Sequence, residues 1–146
     1  MEARPDTIRE CLDFRMMLDQ EGARRRIAGN DLAGLETLRE RHQQMLDSAR
    51  QPGSGELPPM AIEVDLSLHD YLAGGLGNSH LANVYAANRL RIGIIQNSRP
   101  FLQVRIASAM EEHLAIMDAL ERRDAEQAAS AIRYHFEQTL RWWGVI

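Results

Sequence analysis

Apolar residues recur along this chain at steps of three and four, the period of a helix that buries one face. Ile8, Cys11, Leu12, Leu18 and Ile27 mark a first helix from about Asp6 to Ala28, with Pro5 and Asp6 as start signals. Gly29 and Asn30 end it. Asn30 or Asp31 is expected to cap a second helix that runs to about Arg50, with Leu35, Leu38, Met45 and Leu46 inside. Gln51 to Glu56, which includes Pro52, Gly53 and Gly55, is the clearest loop. A third helix is predicted from about Pro59 to Leu76, weakened at its end by Gly74, Gly75 and Gly77. Gly77 reads as its C-cap, and Asn78 and Ser79 as the next N-cap. A fourth runs from about Ser79 to Gln96, with Leu81, Val84, Tyr85, Ile92 and Ile95 on one face, and residues 97–100 break it. A fifth spans about Pro100 to Arg122. Asp124 then caps a sixth that ends near Trp143. No stretch alternates as a strand does, and no repeat or linker interrupts the chain. The prediction is a single all-α domain over residues 1–146, a six-helix bundle whose short connections make neighbours mostly antiparallel.

Polar residues interrupt these apolar stripes at a few positions, where a side chain needs a partner to be buried. On the third helix Ile62, Asp65, Leu66, His69, Leu72 and Leu76 share a face, with Asp65 and His69 one turn apart. On the fifth, His113 sits among Ile106, Met110, Met117 and Leu120. On the sixth, His135 sits among Ala128, Ala131, Ile132, Thr139 and Trp142. Three helices thus each aim a potential ligand inward. Three imidazoles and a carboxylate suit a divalent transition metal: zinc first, with nickel, manganese or iron as alternatives. The competing reading is that each histidine is a hydrogen-bonded core residue and the Asp65–His69 pair an ordinary helical pair. His42, in a run of Arg41, Gln43 and Gln44, is expected in solvent, and His80 at a helix start. Arg15, Asn88 and Arg89 also interrupt apolar faces. An arginine aimed into a helical cavity suits a carboxylate ligand, whereas one that lays its stem on the core and reaches out to water needs none; Arg89 is expected to do the latter. Trp142 and Trp143 are read as packing or a subunit contact.

Composition narrows the function classes. All 17 basic residues are arginine, and the formal net charge is −4. No basic stripe stands out; Arg24, Arg25 and Arg26 are expected to form a solvated helix face. The chain alone is therefore a poor nucleic-acid binder. No apolar run reaches the ~20 residues needed to span a bilayer, so no membrane partner is expected. The lone Cys11 cannot form an internal disulfide, in keeping with a cytoplasmic location.

Several motifs occur in a fixed order. Leu12, Arg15, Leu18, Asp19 and Ala23 come first, then Asp65, Leu68 and His69, then Gly77 and Asn78. Glu112 and His113 follow, then Leu120, Arg123, Asp124 and Ala128, and last Arg133 and His135. This set, over nearly the whole chain, resembles the ligand-binding FCD domain of FadR-type regulators in the GntR family. Separations of 4, 44 and 22 residues between Asp65, His69, His113 and His135 fit it. Leu68 stands where phenylalanine is usual, and Asp19 where glutamate is common. The resemblance implies a helical bundle enclosing a metal and ligand cavity. Asp65, His69, His113 and His135 would hold the metal, and a small carboxylate effector would complete its shell with help from Arg15. A homodimer is implied too, with DNA bound only through an N-terminal winged helix-turn-helix that this sequence does not contain. The expectation is an effector domain cut from a longer regulator, ahead of a protein that kept only its sensor. No enzymatic activity is expected. The alternatives are a small helical metal-dependent hydrolase or transferase with a three-histidine site, and a plain interaction bundle.

Overall fold

The computed structural model describes residues 4–51, 60–98 and 103–145. Six helices and no strand occur among them: α1 (Pro5–Ala28), α2 (Leu35–Ala49), α3 (Ala61–Ala73), α4 (Ser79–Asn97), α5 (Gln103–Glu121) and α6 (Ala125–Trp142). Most of the expected loop at 51–56, and the expected start points Pro59 and Pro100, lie outside the described residues. No helix is long and apolar enough to cross a membrane.

The helix ends follow local chemistry. Pro5 occupies the first turn of α1, where its missing N–H is not needed. Asn78 Oδ1 accepts from the backbone N–H groups of His80 (2.9 Å) and Leu81 (3.1 Å), and Asp124 Oδ1 from that of Gln127 (3.0 Å). The expected cap of α2 by Asn30 or Asp31 is not what forms. The helix starts later, after Gly34 in the left-handed region (φ 85°), with no side-chain cap. Asn30 and Asp31 are engaged elsewhere, accepting from Arg123 and Arg26 respectively.

Helix α1 packs against α3, α4 and α6, while α5 packs against α2, α3 and α6. A central apolar cluster draws Met16 and Ala23 from α1, Leu38 from α2, Leu68 and Leu72 from α3, Met117 and Leu120 from α5, and Ile132 from α6. A second joins α2, α3 and α5 through Met45, Val64 and Met110, and a third joins α1, α4 and α6 through Leu12, Ile92 and Leu140. The stripes read from the sequence run wide in two places: Val84 and Trp142 are 45% and 41% exposed. The arginine triplet is a solvated face only in part: Arg24 is exposed and Arg25 partly so, but the third member turns inward. Arg26 is buried, donates to Tyr71 O (2.9 Å), and lies 3.9 Å over the Tyr71 ring.

One backbone approach sets the position of α1 on α3. A Cβ on Gly22 would lie 2.0 Å from the carbonyl oxygen of Leu72. Only glycine allows that distance, and the two residues sit one turn beyond Asp19 and His69. Gly22→Ala should therefore destabilise the protein by roughly 1–3 kcal/mol through backbone displacement. Gly93→Ala on α4, where the added methyl meets nothing within 4 Å, should be neutral or stabilising by up to ~1 kcal/mol. Urea unfolding of the two variants measures both effects.

Candidate metal centre

Between the apolar clusters runs a buried polar seam to which all six helices contribute. Helix α1 supplies Arg15 and Asp19, α2 His42, α3 Asp65 and His69, α4 Gln96, α5 Glu112 and His113, and α6 His135; every one is at least nine-tenths buried, Glu112 by its side chain, which is 9% exposed. One nitrogen from each of His69, His113 and His135 lies within 4.8 Å of the others. The sequence expectation that three helices converge on a point is met for these imidazoles. Asp65 stands beside them: Oδ1 is 3.7 Å from His113 Nε2, and Oδ2 accepts from Gln96 Nε2 at 2.9 Å.

Each ring is held by its other nitrogen. His69 Nδ1 lies 2.7 Å from Asp19 Oδ2, and His135 Nδ1 lies 2.6 Å from Glu112 Oε1. His113 Nδ1 lies 2.9 Å from His42 Nε2. An ionised carboxylate only accepts, so with Asp19 and Glu112 ionised His69 and His135 each donate from Nδ1. In the neutral ring Nε2 is then a bare lone pair. His69 Nε2 is buried with no hydrogen-bond partner, and His113 Nε2 faces His135 Nε2 at 3.1 Å. Glu112 is itself gripped by Arg105 Nη1 at 2.8 Å, and Arg105 Nη2 donates to Thr139 Oγ1.

Burial sets the protonation of the seam. It holds the imidazoles of His69 and His113 well below their usual range, and that of His42 below it. It also pushes the Asp19 carboxyl up to about 7, against the pull of the Arg15 guanidinium. Burial acts the same way on Glu112, but its hydrogen bonds to His135 and Arg105 outweigh it and leave this carboxyl below the usual carboxylate range.

The residues fit a metal ion. Zinc bonded to nitrogen at about 2.0–2.1 Å places tetrahedral ligand atoms roughly 3.3 Å apart, and the trio's nitrogens lie within 4.8 Å of one another. The orphaned His69 Nε2 and the rings anchored to carboxylates match the outer-sphere support that metal-binding histidines use.

Arg15, Asn88 and Arg89 line one narrow crevice with Leu66, Tyr85 and Ile92. Two of the three are committed. Asn88 Nδ2 donates to Cys11 O at 2.9 Å, and Arg89 makes a two-pronged ion pair with Asp70 at 2.7 and 3.0 Å. Arg15 is 7% exposed and makes no hydrogen bond or ion pair among the described residues.

His42 was expected in solvent and is instead fully enclosed. Its polar sequence neighbours hid it, although Leu38, His42, Met45 and Leu46 share the inward face of α2. Asp19, Gln96 and Glu112 were not singled out for the site. Asp19 carried one signal, its place four residues after Arg15 on the same helix; Glu112 carried another, its place beside His113.

A model of the family described as the FCD domain matches residues 10–138. No curated protein and no solved structure matches significantly.

The Asp19–His69 pair offers a direct check on this electrostatic picture. In protein stripped with EDTA, carboxyl-carbon NMR should show Asp19 titrating near pH 7. Arg15→Met, which removes the nearby positive charge, should move that titration higher.

Proposed function

The chain belongs to the FCD-domain family of GntR-type effector-binding regulatory domains, and from that premise we propose a metal-dependent sensor of a small organic acid. One observation carries this reading: three buried imidazoles, two of them anchored through Nδ1 to carboxylates, each bring a nitrogen within 4.8 Å of the others. Such an arrangement calls for a cation. His69, His113 and His135 would hold a divalent ion, with Asp65 as the fourth ligand and zinc as the first choice of metal. The bound ion would supply a Lewis-acidic centre for an effector carboxylate.

Arg15 is the chain's own contribution to the effector. Arg15 is buried and has no hydrogen-bond partner among the described residues, so an anion would stabilise its guanidinium. A hydroxy acid, sugar acid or dicarboxylate provides that anion and a geometry the planar guanidinium matches. Asn88 and Arg89 would shape the crevice beside it. The effector would act by favouring one arrangement of a homodimer, and so of DNA-binding heads joined to it; this requires different affinities for the two arrangements.

The carboxylates of the seam support a sensor over a hydrolase. A hydrolytic site needs a base free to take a proton from water. Asp19, Asp65 and Glu112 are instead engaged with His69, Gln96 and His135.

Protein purified without chelator should carry about one metal per chain by elemental analysis, and His69→Ala should carry none. At zinc concentrations ~100-fold above Kd, binding adds about 2.7 kcal/mol. That raises Tm by roughly 5–10 °C over the chelated protein for a domain of this size. Protein that holds no metal and accepts none would end this reading. Among hydroxy acids and dicarboxylates screened by calorimetry, the tightest binder should be lost in His135→Ala and weakened at least tenfold in Arg15→Gln.

A further inference from the structure

His42 lies outside the motifs that tie this chain to its family, yet it contacts the centre. Its Nδ1 is 2.9 Å from the carbonyl oxygen of Leu38, one turn earlier on α2. A carbonyl can only accept, so Nδ1 carries the hydrogen. No carboxylate lies within hydrogen-bond reach of the ring among the described residues. In the neutral ring Nε2 is therefore a lone pair, and it faces His113 Nδ1 at 2.9 Å. His113 must donate there. That choice leaves His113 Nε2 as a lone pair aimed at the centre.

We propose that His42 is a positioning residue for the metal centre, fixing His113 in the tautomer whose Nε2 is free to bind an ion and thereby linking α2 to metal occupancy. This rests on the reading of the imidazole trio as a metal site. His69 and His135 have carboxylates for the same task, and His113 has His42. Without His42, His113 is free to take the other tautomer. Its Nε2–H would then donate to His135 Nε2, 3.1 Å away. Both nitrogens would be satisfied with no ion present, and a proton would have to leave before an ion could enter.

The test compares His42→Leu, which offers no acceptor, with His42→Gln, whose amide oxygen can accept from His113 Nδ1. Zinc affinity is read by competition with a chromophoric chelator. Nitrogen-15 NMR of the metal-free proteins reads which nitrogen of His113 bears hydrogen. His42→Leu should bind zinc about 10- to 100-fold more weakly than wild type, and His42→Gln should recover most of the loss. His113 should carry hydrogen on Nδ1 in the wild type and on Nε2 in His42→Leu. A folded His42→Leu with wild-type zinc affinity overturns the proposal, as does a wild-type His113 protonated on Nε2. If His42→Leu does not fold, wild-type-like zinc binding by His42→Gln and the wild-type NMR assignment together support the proposal, and a failure of either overturns it. A wild type that takes up no zinc brings down the metal site itself, and this role with it; wild-type uptake unchanged in folded His42→Leu brings down only the role of His42.

Discussion

A neutral imidazole has two nitrogens and one hydrogen, and the centre of this bundle is organised by where those hydrogens go. Asp19 and Glu112 each draw one to the outer side of a ring, and the Leu38 carbonyl does so through His42. The inner nitrogens are left electron-rich and close together. His113 and His135 bring theirs within 3.1 Å, a distance at which two lone pairs repel unless a positive charge lies between or beside them. A plain helical core has no reason to build such a cluster. Replacing a buried polar network with well-packed apolar residues is often neutral or stabilising, so its presence calls for a use.

The packing of the helices makes this arrangement possible. Gly22 lets the backbone of α1 close onto that of α3 at Leu72, and one turn earlier the same approach sets Asp19 against His69. The apolar clusters flank the seam on several sides and help to bury it. Burial strengthens every hydrogen bond within and disfavours the charged form of His42, His69 and His113; a metal ligand must be uncharged. The same burial makes the carboxyl of Asp19 reluctant to ionise. Core packing and site chemistry are therefore one design seen from two sides.

The sequence made the helices and three inward histidines legible because both depend on periodicity. His69, His113 and His135 each sit mid-stripe, where a polar residue is conspicuous against its apolar neighbours. His42 lacked that contrast: most residues around it are charged or amides, and its inward direction shows only once α2 has been placed against α5. Asp19 and Glu112 were hidden for another reason. Each holds a histidine on a different helix, and no spacing rule within one helix reports a partner 50 or 23 residues away. The start of α2 differs for a related reason: Asn30 accepts from the distant Arg123, and Asp31 from Arg26 five residues earlier, so neither caps the helix. Val84 and Trp142 show the limit of periodicity itself. An apolar residue can lie at the edge of a stripe and still face water.

Charge balance connects the metal reading to the effector reading. Buried beside the imidazoles are the guanidiniums of Arg15 and Arg105 and the carboxylates of Asp19, Asp65 and Glu112. Arg105 and Glu112 neutralise each other. Without an ion, the remaining groups carry one positive and two negative charges when both aspartates are ionised. The proposed divalent cation reverses the balance and leaves one positive charge in excess. A low-dielectric interior does not tolerate that excess unpaired. Arg15, with no ion pair among the described residues, and an ion with an open coordination position would each be satisfied by one carboxylate. On this reading, an anionic effector completes the electrostatics that the metal unbalances.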